Sequence, residues 1–202
     1  MGNGQKQAAT GFTLIEMLVV IAISAILLAV GVPSFTYMVD RNRVSGEVNE
    51  MLADLALTRS EALTRRARVI MCRSSNPTSA GAVCDGAATD WGSGWIVFVD
   101  NADPALGGVN FQRDDPAEAI VRAYLRTSQQ VALTAAPGFA GITVTADGTV
   151  FLLDGNPLSS LAPGVDEPLR IDFAGTDAGN RRSLCIATTG RARTSSTFGS
   201  CA

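Results

Sequence analysis

The chain has 202 residues, 47% of them hydrophobic, with 20 Gly, four Cys, no His and a formal net charge of −3. The lack of His excludes Ser-His and Cys-His nucleophile pairs, imidazole general bases and most zinc sites, and this length suits one domain with its own core. The net charge hides a segregation: residues 85–177 carry 13 acidic and 4 basic side chains, whereas 178–202 carry four Arg and no acid.

Residues 1–11 form a polar leader with one Lys. Phe12 to Val32 follows as a nearly unbroken apolar run, and at ~1.5 Å per residue a helix of that length spans ~30 Å of hydrocarbon. Glu16 interrupts it. A carboxylate central in a spanning segment costs ~2.5–3.5 kcal/mol, so it calls for a positive partner; the plainer alternative is a side chain that reaches the interface. A secretory signal places its apolar region before its cleavage site, whereas here Thr10-Gly11 comes first. Charge counting does not orient the segment, because Lys6 and the chain amine lie on one side and Arg41 and Arg43 on the other.

Gly11-Phe12-Thr13-Leu14-Ile15-Glu16 resembles the processing site of type IV pilins and type II secretion pseudopilins. The resemblance implies that a prepilin peptidase removes residues 1–11 and that Phe12 becomes N-methylated. It further implies that Glu16 pairs with the Phe12 amine of a neighbouring subunit during assembly, with 12–32 crossing the inner membrane, the leader cytoplasmic and the remainder periplasmic.

Pro33 removes one helical hydrogen bond and is expected to bend the axis, after which the helix continues. Val44, Val48, Met51, Leu52, Leu55, Ala56, Ala62 and Leu63 recur at three-to-four spacing, with Arg43, Glu47, Glu50, Asp54 and Glu61 on other faces. One helix over about 12–66 is expected: a transmembrane and assembly half, 12–32, and an amphipathic half, 33–66, docked on a β-rich domain, 67–202. Arg59, Arg65, Arg66, Arg68 and Arg73 gather near its carboxyl end, where the helix dipole favours cations; contact with neighbouring subunits is the alternative.

Beyond Ala67 the pattern changes to eight short segments, 69–72, 95–99, 120–125, 131–134, 142–145, 150–153, 169–173 and 184–187, separated by Gly, Pro, Asn and Asp turns. They predict antiparallel sheets, with a hairpin at Asp147-Gly148. Loops 74–93, 101–118 and 154–168 are long for a compact domain. Trp91 and Trp95 flank a Gly-Ser-Gly turn and read as core anchors, with stacking on a base or sugar as the alternative. Cys72 and Cys84, then Cys185 and Cys201, have no metal-ligand spacing. Three pairings exist on paper; two local loops are the simplest, each worth ~3 kcal/mol by the chain-entropy argument. Disulfides suit an oxidising compartment such as the periplasm, four reduced thiols being the alternative.

The stretch from Ala62 to Cys72 with Cys84, then Trp91 to Asp100, and finally Leu184-Cys185 with Gly190-Arg191-Ala192-Arg193, looks like the GspH/FimT family of minor pilins and pseudopilins. That resemblance implies an α+β, pilin-like fold, a long kinked amino-terminal helix packed on an antiparallel β-sheet domain, and partners that are other major or minor pilins or pseudopilins. In FimT-type members a Gly-Arg-x-Arg tail is associated with binding DNA for uptake, and Gly190, Arg191 and Arg193 match it. From the residues themselves, side chains two apart on an extended strand share a face. Arg181 and Arg182 lie just upstream, within the basic tail 178–202, and guanidinium forks with hydroxyls hold phosphates of double-stranded DNA without reading sequence. The alternatives are a charged edge that discourages sheet-to-sheet pairing or ion pairs with the acidic middle of the chain.

No Gly-rich phosphate loop follows a strand, and no Ser or Cys stands beside a candidate base, so no enzyme, catalytic residue, metal or cofactor is expected. Asp100 with Asp103 and Asp114 with Asp115 read as loop carboxylates, a Ca²⁺ site being the alternative. The function that the resemblance implies is that of a minor pilin that enters a type IV pilus near its tip. The alternative is a minor pseudopilin of type II secretion, and a third class is a membrane-anchored binding domain that never assembles and has no use for Glu16.

Overall fold

The computed structural model describes residues 11–86, 90–101, 113, 118–126, 129–136, 138–153 and 169–201. The leader before Gly11, loop 154–168 and most of loop 101–118, with Asp103, Asp114 and Asp115, lie outside the described residues. The chain divides between Val39 and Asp40 into two compact units.

Helix α1, Leu14–Arg65, continues through Pro33. In the first unit every described residue from 11 to 38 is exposed, and this part of α1 is long and apolar enough to cross a membrane. Arg66 ends the helix at φ +52, the left-handed conformation that commonly closes helices.

In the second unit, α1 buries Asp40, Val44, Val48, Met51, Asp54, Leu55, Thr58 and Ala62, a stripe whose three-to-four spacing keeps one face inward. Its large apolar members each contribute roughly 1.5–3 kcal/mol on burial. Asp54 is a correction to the expected pattern, since it lies on the inward stripe and not on another face.

Among the described residues nine strands form two antiparallel sheets. The first has the order β3-β2-β1-β5-β6, from β1 (Arg68–Arg73), β2 (Gly94–Asp100), β3 (Ile120–Leu125), β5 (Gly141–Val144) and β6 (Val150–Leu152). Met71 lies opposite Val97 on one side and Ile142 on the other. The second sheet has the order β4-β7-β8-β9, from β4 (Ala132–Ala136), β7 (Leu169–Ala174), β8 (Arg181–Ile186) and β9 (Ala192–Ser195).

Residues one apart on a strand point to opposite faces, and the first sheet is buried on both. Val69, Met71, Trp95, Val97, Ile142 and Val144 join the helix stripe and Leu133, Ile171, Phe173, Leu184 and Ile186 of the second sheet in the main core. Ile70, Cys72, Ile96 and Phe98 form a smaller cluster with Ala82 on the other face. That double burial is why β1 and β2 read as continuous apolar runs. All eight expected segments coincide with strands, and β9 is an addition. Its Ala-Arg-Thr-Ser sequence has no apolar alternation by which periodicity could have marked it.

Candidate functional site

At the amino end, Gly11 and Phe12 are exposed and precede the helix. Oε2 of Glu16 accepts bonds from Thr13 N (3.1 Å) and Thr13 Oγ1 (3.0 Å), and Glu16 N donates back to Thr13 Oγ1 (3.3 Å). This is a capping box, the reciprocal arrangement that satisfies two orphan donors at a helix start. The motif Thr-x-x-Glu is legible in the sequence, but in an apolar setting the charge of Glu16 is more conspicuous than its spacing from Thr13. The carboxylate therefore points back toward the start of the chain's helix, one turn from Phe12.

In the second unit polar contacts from several strands and turns fix the helix. The Asp40 carboxylate accepts from Thr176 N (3.0 Å), Thr176 Oγ1 (2.9 Å), Asp177 N (3.1 Å) and Asn180 Nδ2 (2.8 Å). Burial alone raises its pKa, but these four donors outweigh that and hold it at about 2. Glu47 pairs with Arg126 at 3.1 Å, and Arg126 also donates to the carbonyls of Gly92 (3.0 Å) and Val131 (2.5 Å). Arg122 on β3 reaches both Glu50 and Asp54, the latter at 3.3 Å. Finally, Arg59 Nη1 donates to the carbonyl of Thr189. Asp40, Arg122 and Arg126 carry no sequence pattern that marks these roles, because each partner is remote along the chain.

The carboxyl-terminal tail is built on the β8–β9 hairpin. Gly190, at φ +75, turns the chain, with Gly190 N donating to Ala187 O and Ala187 N to Arg191 O, both at 2.8 Å. Register places Arg193 opposite Cys185 and Ser195 opposite Ser183, so Arg181, Ser183, Cys185, Arg193 and Ser195 share the face away from the main core. Arg182 lies opposite Phe173, on the other face of β8. Residues 196–201 fold back over that outer face: Cys201 is joined to Cys185, the Arg181 guanidinium lies 5.1 Å from the Phe198 ring centre, and Gly199 N donates to Ser183 Oγ at 3.0 Å. The carbonyls of Gly199 and Cys201 accept from Arg170 (2.5 Å) and from Arg193. Arg181, Arg191 and Arg193 are exposed, and Arg182 is half-buried. The expected basic set is thus divided between two faces of β8 and a turn, and Arg170 of β7 joins it.

Cys72 and Cys84 form the second disulfide, which holds the 74–86 segment near the smaller cluster. Trp91 and Trp95 are both buried, with their indole N–H groups donating to Phe139 O (3.2 Å) and Asp54 Oδ2 (2.7 Å). Neither face is open to a base or sugar, so these residues are core anchors. Among the described residues no three Cys, Asp or Glu side chains gather as a metal site.

The family model described as type II transport protein GspH matches residues 47–190, and the prokaryotic N-terminal methylation motif matches residues 6–32. No curated protein matches the chain by sequence. Two crystal forms of the type IV minor pilin FimU of Pseudomonas aeruginosa are similar in structure at 18% identity: one covers 78% of this chain and 92% of its own, with a TM-score of 0.49, the other 75% and 91%, with 0.47.

Proposed function

Because this chain belongs to the GspH family and carries the N-terminal methylation motif, we propose that it is a minor pilin, a structural subunit that enters a type IV pilus near its tip; a minor pseudopilin of a type II secretion system is the alternative. In this role a prepilin peptidase cuts after Gly11, Phe12 is methylated, 12–32 holds the subunit in the inner membrane with a bend at Pro33, and the β domain lies in the periplasm until assembly.

One observation carries the proposal. Residues 11–38 offer an apolar helix with no cover from the chain itself, and Thr13 turns the Glu16 carboxylate toward the place where the Phe12 amine stands after cleavage. Such a surface belongs in lipid or against other subunits. The test is to replace Glu16 with Ala and follow the subunit in sheared surface fibres. Assembly-defective protein is expected, with mass spectrometry still showing a start at Phe12; full incorporation sinks the proposal. Loss of the gene product should impair pilus-dependent functions and spare protein secretion, and the reverse would favour the pseudopilin.

Contact with double-stranded DNA is a second reading, and the exposure of Arg181, Arg191 and Arg193 in a tail that lacks acids favours it. Arg191→Ala with Arg193→Ala should weaken duplex binding and flatten its salt dependence by roughly 0.9 in log–log slope for each phosphate that is no longer neutralised. Unchanged affinity and slope would remove DNA as a ligand.

A further inference from the structure

We infer that Arg59 is a positioning residue for the tail: it ties the β8–β9 turn to helix α1, beside the β5–β6 turn, and so sets where Arg191 stands. The tie itself rests on geometry alone; its consequence for binding rests on the DNA contact proposed above.

Arg59 projects from α1 between turns of two different sheets. Its Nη1 donates to Thr189 O in the β8–β9 turn. A Cβ placed on Gly190 would lie 2.9 Å from that same Nη1 and 2.5 Å from Val150 Cγ2, and a Cβ placed on Gly148 would lie 3.3 Å from Arg59 Nη2. Both glycines have positive φ, +83 at Gly148 and +75 at Gly190. The guanidinium is therefore seated in a gap that exists because both turns lack a side chain at the point of closest approach.

The two turns are not equally well held. In the β5–β6 turn, the Asp147 carboxylate accepts from Thr145 Oγ1 (2.5 Å), Thr149 N (3.0 Å) and Thr149 Oγ1 (2.9 Å), which fixes it internally. The β8–β9 turn has its two backbone bonds and Arg59. Gly190 directly precedes Arg191, so a shift of Thr189 and Gly190 reorients the Arg191 side chain and strains the bond from Ala187 N to Arg191 O. A planar fork with five donors can reach a carbonyl while lying flat between two backbones; a single ammonium cannot do both.

The test uses the full-length chain in detergent micelles, with amide hydrogen exchange and with binding of a short DNA duplex across a salt series. Arg59→Met, which keeps the apolar stem, should speed exchange at Ala187 and Gly190 by roughly fivefold, as the loss of one such bond allows, and leave the β1–β2 amides unchanged. It should weaken duplex binding, and Arg59→Met with Arg191→Ala should bind no more weakly than Arg191→Ala alone. If Arg59→Met does not fold, Arg59→Lys carries the same readouts and should also loosen the turn. Unchanged exchange at Ala187 and Gly190 would overturn the inference. So would additive losses of affinity, which would make Arg59 a phosphate ligand in its own right. Faster exchange in Arg59→Met together with wild-type binding by Arg191→Ala would uphold the tie and sink the DNA reading instead.

Discussion

The indole N–H of Trp95 donates to Oδ2 of Asp54 at 2.7 Å, joining strand β2 to helix α1 inside the core. Both side chains are buried, so each supplies the only kind of partner that makes the other tolerable there. Burial raises the Asp54 pKa above its ordinary 3.8, and the bonds from Trp95 and Arg122 oppose that without cancelling it. In the pH window just above 3.8 the folded chain therefore binds this proton more tightly than the unfolded chain, and the contribution of Asp54 to stability falls as pH rises through it. Trp95→Phe should cost about 1–3 kcal/mol, since it leaves the carboxylate short of a donor. Asp54→Asn should remove the pH dependence in that window. Urea midpoints between pH 4 and 7 measure both.

Asp40 shifts the other way. With its carboxyl held at about 2, the stabilisation is complete above its ordinary 3.8 and is lost as pH falls through about 2. Asp40→Ala should destabilise at neutral pH by about 1–3 kcal/mol, because four donors lose one acceptor, which lowers Tm by roughly 2–12 °C in a domain of this size. The wild type should show an extra loss of stability below pH 4 that Asp40→Ala lacks. Thermal unfolding at pH 2.5 and pH 7 decides the matter.

Gly190 and Gly199 have nearly the same φ, +75 and +77, but differ in surroundings. A Cβ at Gly199 meets nothing within 4 Å, whereas at Gly190 it meets Val150 and Arg59. Alanine at either position bears the backbone strain of about 1 kcal/mol; only Gly190→Ala adds a clash. Gly190→Ala should therefore be the more damaging by at least ~1 kcal/mol in a denaturant titration. Equal effects would mean that the turn does not press on the helix.

The Cys185–Cys201 disulfide closes residues 196–201 over the outer face of the second sheet. Cys185→Ser with Cys201→Ser should lower stability by about 3 kcal/mol on the chain-entropy argument. Residues 196–202 should then be trimmed by carboxypeptidase several times faster than in the oxidised wild type, an outcome readable by mass spectrometry. Persistence of the intact end would show that Arg170, Arg193 and Phe198 hold the segment unaided.

The long helix, the eight apolar strands and the apolar run 12–32 were legible because hydrophobic patterning is a local property of a sequence. Arg122, Arg126 and Asp40 were not, since a buried ion pair or a caged carboxylate is defined by residues 72 to 140 positions away. The basic tail shows the boundary within one motif. Its charge was visible; its division between two faces of β8 followed from the register of β7, β8 and β9.

The order of residues around Gly11, Phe12 and Glu16 alone carried the resemblance to a pilin processing site, and a lone acid in an apolar run is conspicuous whatever surrounds it. Gly190 is the opposite case. In the sequence it was one glycine of a basic motif, and only the fold brought Arg59, from the far half of α1, against it. Steric exclusion acts between neighbours in space, and a sequence names its neighbours only along the chain.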